Sequence, residues 1–262
     1  MFDLNRAKVL FLDNEYERAA EMFYEGACEG NAEAAFNYGY CLMHGYGVER
    51  DLAAAKSFYT FASGTVGEAA YNLAVMYLHG EGVKRDYRKT HEYMRDAAEL
   101  GVIEAQLYLG VAYTMGSLFE PDITSISLIP YHTPEYNAPA MYLDGDVPDM
   151  QDDEESRIAA VRLDPHSAFS WFRTAAKHSP DYVEELSLKG KFLYARCFLD
   201  GLGTDFNRDR GNGLMLLAAA EGSKEAMVYL ETEAPYVLEN LANKDLLSRI
   251  RQIEGIGPKR DF

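Results

Sequence analysis

Apolar residues recur every three to four positions between residues 68 and 101, a spacing that predicts amphipathic helices. Tyr77 lies on the apolar side of the first helix, and Gly80 is expected to end it, because glycine adopts a left-handed C-terminal cap without steric cost. Asp86 is expected to cap a second helix by accepting a free backbone N–H, and Met94 belongs to its apolar stripe. The stretch therefore predicts a unit of helix, glycine turn and helix.

This unit returns along the chain with a period of 35 to 36 residues. Gly45 and Gly47 stand 35 residues before Gly80 and Gly82, and Gly116 stands 36 residues after Gly80. Each helix pair has an apolar face that only a neighbouring pair can bury, so two helices per unit at this period predict an all-α solenoid.

The repeats predict a division of the chain into caps, four repeats and one insertion. The third repeat is interrupted, because the motif of its second helix reappears late, from Asp164. The insertion is read either as a recognition loop or lid over a binding groove, or as a loop packed on the solenoid edge or partly disordered. We assign residues 1–31 to a degenerate capping repeat, 32–67, 68–103, 104–178 and 185–222 to the repeats, about 118–161 to the insertion, and 223–262 to C-terminal capping helices and a tail.

The repeated residues also resemble a known family. The order A-x-x-x-L-[GA]-x-x-Y-x-x-G-x-G-V-x-x-D, then an aromatic residue and A-A-x-x-G, is similar to the Sel-one-like repeat (SLR), a relative of the tetratricopeptide repeat; it covers most of residues 32–116 and 164–230. The resemblance implies a right-handed α/α superhelix whose first helices line a concave face, and an adaptor role. Some secreted bacterial members carry two cysteines per repeat and are linked to β-lactam binding, but this chain lacks those pairs.

Charge narrows the class of partner. The chain has 42 acidic and 25 basic residues among 262, for a formal net charge of −17 at pH 7. Nucleic acid is an unsuitable partner because its phosphates need a cationic surface, and a basic peptide or protein suits the charge better. No apolar run approaches the roughly 18 residues of a membrane span, and the first residues lack the features of a signal peptide. We therefore expect a cytoplasmic protein, with its oligomeric state left open.

Candidate chemistry is sparse. The sequence contains no H-E-x-x-H, G-x-S-x-G or P-loop motif, so we expect no enzyme and no cofactor. Cys28, Cys41 and Cys197 are expected to be buried free thiols. His44 and His79 share one repeat position and are expected to be partly exposed helix ends rather than a metal pair. The acidic segment 144–155 is expected to be a solvated loop, because its fifth and sixth positions do not suit a calcium loop.

The first helices carry a candidate partner-binding face outside the predicted core stripe. Asn37 and Asn72 share a repeat position and can either hydrogen-bond the backbone of an extended peptide or bond neighbouring turns of the repeat. We expect substitution of Asn72 and Tyr108 to weaken partner binding without lowering stability. The candidate residues are Asn37, Tyr40, His44, Asn72, Val75, His79, Tyr108, Val111, Met115 and Arg196.

These observations favour a non-catalytic scaffold that binds a peptide or protein on the concave face of the solenoid. One alternative is a cell-wall or β-lactam hydrolase or binder like the secreted relatives. Another is an acidic immunity-type or regulatory protein that neutralises a basic partner.

Overall fold

The computed structural model describes residues 2–116, 161–178 and 184–257, so the insertion predicted at about 118–161 and the acidic segment 144–155 lie outside the described residues. Within those ranges every regular element is a helix, which confirms the predicted all-α class. The thirteen described helices are α1 (Leu4–Leu12), α2 (Tyr16–Cys28), α3 (Ala32–His44), α4 (Leu52–Ala62), α5 (Gly67–His79), α6 (Tyr87–Glu99), α7 (Ile103–Met115), α8 (Pro165–Ala175), α9 (Glu184–Asp200), α10 (Arg208–Glu221), α11 (Lys224–Glu233), α12 (Pro235–Leu238) and α13 (Lys244–Glu254).

The chain divides into two compact units. The described part of the first unit ends at Ala105, and the second comprises residues 106–116 and the described residues from Val161 onward. In the first unit each helix from α1 to α6 contacts the next one along the chain, and in the second α8 to α12 do the same. Sequential pairing of neighbouring helices is the contact pattern of stacked helix-pair repeats, as the sequence predicted.

Helix ends follow the predicted capping chemistry. The side chains of Asp51, Asp86 and Asp164 each accept hydrogen bonds from backbone N–H groups in the first turn of α4, α6 and α8. Gly45 and Gly80 end α3 and α5 in the left-handed region, with φ of 74° and 75°. Both caps satisfy backbone groups that a helix terminus leaves unpaired, so the turn positions are set by local sequence.

The second glycine of each turn has a different role, which is close contact between repeats. A Cβ on Gly47 would overlap the backbone of Tyr16, the first residue of α2, and a Cβ on Gly82 would clash with the side chain of Leu52, the first residue of α4. Gly203 stands in the same relation to the start of α8. The turn of one repeat therefore rests against the start of the preceding second helix, and only glycine leaves room there.

The N-terminal cap replaces the glycine turn with an asparagine. Asn14 joins α1 to α2 with φ of 62°, a left-handed conformation that asparagine tolerates better than most residues. Ala7, Leu10 and Phe23 then form a small buried cluster with Cys41 of α3. The degenerate capping repeat thus covers the apolar side of the first full repeat.

First helices are buried on more than one side. In α5, eleven of the thirteen residues are buried, because the helix contacts both α4 and α6. Ala69 and Ala74 have no exposed surface, and such small residues let helices approach closely. Burial predicted from a single apolar stripe is therefore less than the burial that the neighbouring helices produce on a first helix.

The C-terminal helix α13 is attached to the second unit by ion pairs. The carboxylate of Glu221 lies 2.7 Å from the Nζ of Lys191 and 2.9 Å from the Nη2 of Arg251. Arg210 donates two hydrogen bonds, of 2.6 and 2.9 Å, to the carboxylate of Glu254. The Lys191 and Glu221 side chains are only 1% and 2% exposed, so this pair is fully removed from water.

The thiols follow the prediction only in part. All three cysteines are free, and Cys41 and Cys197 are buried, which raises the pKa of each thiol to about 12. Cys28 is exposed, so its predicted burial is wrong: it is the last residue of α2 and lies beside the exposed turn that follows. Within the described ranges, no helix is both long and apolar enough to span a membrane.

Candidate partner-binding face

The ten candidate residues differ widely in exposure. The prediction that they lie outside the core is wrong for half of them, because the first helices are covered by helices on both sides. Asn37, Tyr40, Asn72, Val75 and Tyr108 are buried, His79 and Val111 are half-buried, and His44, Met115 and Arg196 are exposed.

The structure brings together some of the candidates in the first unit. The ring centroids of Tyr40 and His44 lie 4.4 Å apart, and Tyr46 lies 6.0 Å from Tyr40 and 5.6 Å from His44. In the second unit, Arg196 donates hydrogen bonds of 2.9 and 3.1 Å to Asp200 on its own helix. Its guanidinium is thus already engaged by a carboxylate one turn away.

Tyr108 is part of the core. Only 1% of its surface is exposed, and it is among the largest fully buried side chains. Truncating a buried aromatic residue to alanine costs about 3–5 kcal/mol of stability, because it leaves a cavity. The expected position of Tyr108 outside the core is therefore wrong, and we now expect its substitution to lower stability.

Asn37 and Asn72 each have one satisfied and one unsatisfied side-chain group. The Nδ2 of Asn37 donates to the carbonyl oxygen of Glu33 at 2.7 Å. Burial raises the pKa of Tyr59, and a hydrogen bond from Asn72 opposes that rise. The Oδ1 atoms of both asparagines are buried and accept no hydrogen bond. Bonds within the repeats thus account for the amide nitrogens but not for the oxygens, and a buried unpaired acceptor costs about 1–3 kcal/mol.

A row of glutamates lies one helical turn before these positions, and the candidate face predicted from the sequence did not include them. Glu33, Glu68 and Glu104 occupy the first turns of α3, α5 and α7. Glu33 forms an ion pair with Lys8 of α1. Among the residues that the structure describes, no lysine or arginine pairs with Glu68 or Glu104. The signal was present in the sequence as a glutamate followed by alanine at the start of repeat after repeat.

The surroundings of Glu104 raise the pKa of its carboxyl group. Burial raises its pKa to about 6; a hydrogen bond from its own backbone N–H opposes the rise, and the charge of Glu68 adds to it. The residue is only 9% exposed, so water screens this charge poorly. Ionisation of Glu104 is therefore disfavoured in the folded chain.

The described part of the chain offers no metal centre. It contains no group of three or more histidine, cysteine, aspartate or glutamate side chains placed to hold an ion. His44 and His79 lie at the ends of their helices, where the sequence placed them. The expectation of a solvated loop at 144–155 stays a prediction.

Comparison with known proteins identifies the repeats. The Sel1 repeat family model matches residues 32–63, 67–102, 103–124, 138–180 and 189–223, more than half of the chain. The chain belongs to the Sel1 repeat family. Glutamate is the second residue of each of the first three matched Sel1 repeats, and asparagine is the sixth residue of the first two.

Two solved structures support the Sel1 repeat fold. A Sel1 repeat protein from Oxalobacter formigenes superposes with a TM-score of 0.65 at 18% identity, covering 92% of this chain and 85% of its own. A protective antigen of uropathogenic Escherichia coli that displays an SLR fold gives a TM-score of 0.60 at 19% identity, covering 96% of this chain and 46% of its own. At these identities the likeness shows the fold alone. A comparison with curated proteins gives no match.

Proposed function

We propose that this Sel1 repeat protein is a non-catalytic scaffold that binds a peptide or protein partner along the first helices of its repeats. The observation that supports this most is the pair of buried, unpaired Oδ1 atoms of Asn37 and Asn72, which recur at one position of successive repeats. An extended peptide presents backbone N–H groups at regular intervals, and such donors would satisfy both oxygens. Because both oxygens are buried, binding requires the rotamer changes that are common at interfaces.

Charge favours a basic partner. The net charge of −17 would attract a positively charged surface and raise the rate of encounter, with an effect that falls as salt rises. The same charge would serve the rival role of neutralising a basic protein. That role differs from the scaffold in needing no defined contact along the first helices.

The test has two steps. The partner is first captured from native lysate with tagged protein at low and high salt and identified by mass spectrometry. Its affinity is then measured for the wild type and for the Asn37→Ala/Asn72→Ala double variant. We expect the double variant to bind about tenfold more weakly, since it removes two hydrogen-bonding groups of the kind that contribute about 0.5–1.5 kcal/mol each.

The matched control is Asn240→Ala, a substitution of the same chemistry in a half-buried residue after α12. It should leave the affinity unchanged, and circular dichroism should show that all variants remain folded. Equal affinity of the double variant and the control would refute binding along the first helices. Turnover of a cell-wall or β-lactam substrate by the pure protein would refute the non-catalytic assignment.

A further inference from the structure

We propose that a groove between α2 and α4 binds an amphipathic helix of a partner protein, and that the polar face of this helix is basic. The groove belongs to the first compact unit and is built from side chains of three successive helices. It goes beyond the proposed function, because it lies mainly on second helices and shares none of the ten candidate residues. We name it the aromatic groove, and it consists of Tyr24, Tyr38, Leu42, Leu52, Phe58 and Phe61.

The rings of the aromatic groove contact one another across the three helices. The ring centroid of Tyr38 on α3 lies 5.1 Å from that of Tyr24 on α2 and 4.8 Å from that of Phe58 on α4. Tyr24 and Phe61 are exposed. Tyr38 and Leu42 also line a cavity of about 760 Å³, a size within the range of about 300–1,000 Å³ that ligand pockets have. Contiguous exposed apolar surface beside a cavity is typical of an interaction site.

The second unit contains an equivalent of this surface in the last matched Sel1 repeat. The first glycines of the two turns, Gly45 and Gly201, stand 156 residues apart, and at that offset α9 and α10 take the places of α3 and α4. The equivalent residues, first unit before second, are Tyr38 and Tyr194, Leu42 and Phe198, Ala54 and Arg210, Ser57 and Gly213, Phe61 and Leu217, and Thr65 and Glu221.

The chain's own helix α13 covers this equivalent surface. The hydroxyl group of Tyr194 donates a buried hydrogen bond of 3.0 Å to Glu254 of α13. The side chain of Ile250, also on α13, lies 3.5 Å from the place that a Cβ on Gly213 would take. Leu217 follows Gly213 by one turn on the same face of α10 and has no exposed surface. In the second unit, therefore, a helix occupies the face that corresponds to the aromatic groove.

The first unit leaves the same face open. Phe61, the equivalent of Leu217, is 56% exposed. Ala54 takes the place of Arg210, whose guanidinium carbon lies 4.3 Å from the ring centroid of Phe198 and whose nitrogens bond to α13. The short alanine side chain leaves room at this position, where the first unit has its cavity. An amphipathic helix that inserts its apolar face into a groove is thus the matching occupant.

Charge determines which polar face this helix carries. Glu49 and Asp51 line the cavity. Arg50 lies there too, but its guanidinium is 2.9 Å from the carboxylate of Glu81, which offsets its charge. The border of the cavity is therefore negative. It favours lysine and arginine beside the apolar stripe of an incoming helix and repels acidic side chains.

The α13 helix of a second copy suits the aromatic groove less well. In the second unit Glu254 of α13 pairs with Arg210, whose place in the first unit is taken by Ala54. Arg251 of α13 pairs with Glu221, where the first unit has an uncharged threonine. Both ion pairs would be lost on the aromatic groove, so we assign it to a helix of a different protein.

The experiment measures the binding of a fluorescently labelled peptide of leucine and lysine, about 15 residues long, whose leucines recur at helical spacing. Fluorescence anisotropy compares the full chain as wild type, Tyr24→Ser, Phe61→Ser and the matched control Phe206→Ser. All three substituted side chains are exposed, so none of the changes opens a cavity in the core, and circular dichroism checks the fold. We expect Tyr24→Ser and Phe61→Ser each to weaken binding about tenfold, and Phe206→Ser by less than about twofold.

Cys28 reports occupation of the groove independently of affinity. It is exposed and follows Tyr24 by one turn on the same face of α2, whereas Cys41 and Cys197 are buried. Alkylation by iodoacetamide depends on access to the thiol. Saturating peptide should therefore slow the alkylation of Cys28 several-fold in the wild type, as followed by mass spectrometry of the intact protein.

Four results would overturn this site. They are the same affinity for Phe61→Ser and Phe206→Ser, an unchanged rate of Cys28 alkylation, equal binding of a peptide whose helix is broken by central prolines, and no binding by the wild type. Equal binding of a leucine–glutamate peptide with the same spacing would overturn the basic polar face. A wild type that is dimeric by analytical ultracentrifugation and becomes monomeric with Phe61→Ser would assign the groove to a second copy and overturn the partner helix.

Discussion

Replacing Glu104 with glutamine is expected to stabilise the protein at neutral pH. In the folded chain the carboxyl group has a pKa of about 6, against an ordinary value of 4.5, with burial as the largest cause. A carboxyl with a raised pKa binds its proton more tightly in the folded state than in the unfolded state. Ionisation of Glu104 at pH 7 therefore works against folding, and a neutral glutamine of similar shape avoids that cost.

The size of the effect follows from the two pKa values. One pKa unit corresponds to about 1.4 kcal/mol, so the shift amounts to about 2 kcal/mol. The shift already includes the opposing hydrogen bond from the backbone N–H of Glu104. The expected gain in the free energy of unfolding at pH 7 is therefore about 2 kcal/mol.

The pH dependence gives a sharper signature than the gain itself. The cost in the wild type is absent below about pH 4.5, grows between pH 4.5 and 6, and is complete above pH 6. The stability difference between Glu104→Gln and wild type should therefore grow over that window and stay constant above it. Urea unfolding of both proteins from pH 4.5 to pH 8 measures this difference, and other titrating groups cancel in the subtraction.

Glu225→Gln provides the baseline, because its carboxylate is exposed. It should show no comparable rise through the same pH window. A Glu104→Gln protein that is less stable than wild type at pH 7, or a stability difference that does not change between pH 4.5 and 6, would refute the reasoning. Such a result would mean that Glu104 is compensated in the folded chain.

Further predictions concern packing and charge, each checked by urea or thermal unfolding. Gly47→Ala should lower the free energy of unfolding by more than about 3 kcal/mol, since it combines a positive φ with overlap on a neighbouring backbone. Gly30→Ala has a positive φ but open space around it, so it should lower the free energy of unfolding by only about 1–2 kcal/mol. Equal losses for the two variants would contradict the contact between repeats. Lys191→Met should cost about 3–5 kcal/mol because it leaves buried Glu221 with one cation fewer, and a loss under 1 kcal/mol would show that Arg251 alone suffices.

The sequence predicted what depends on local chemistry. Gly80 and Asp86 act where they were expected, because a helix cap is formed by residues within a few positions of each other. The repeat period and the all-α fold followed from the same local signals. The predicted domain boundaries stay predictions, since the insertion lies outside the described residues.

Burial on the first helices was predicted less well. Asn72 and Tyr108 were expected at a surface because periodicity identifies one apolar stripe, but it does not show how many neighbours cover a helix. The ion pairs at α13 were missed for a related reason. Arg251 and Glu221 are 30 residues apart, and nothing in their local sequences links them.

The paired glycines of the turns limit how this chain can change in length. Gly47, Gly82 and Gly203 each rest on the first residue of the second helix of the preceding repeat, so these repeats take their register from their predecessors. Deleting Tyr46, which lies between Gly45 and Gly47, would place a side chain against the start of α2 and shift the register of the repeats that follow. Gain or loss of a whole repeat, by contrast, recreates the same contact at the new junction. Duplication and deletion of complete repeats are therefore the length changes that this architecture accommodates.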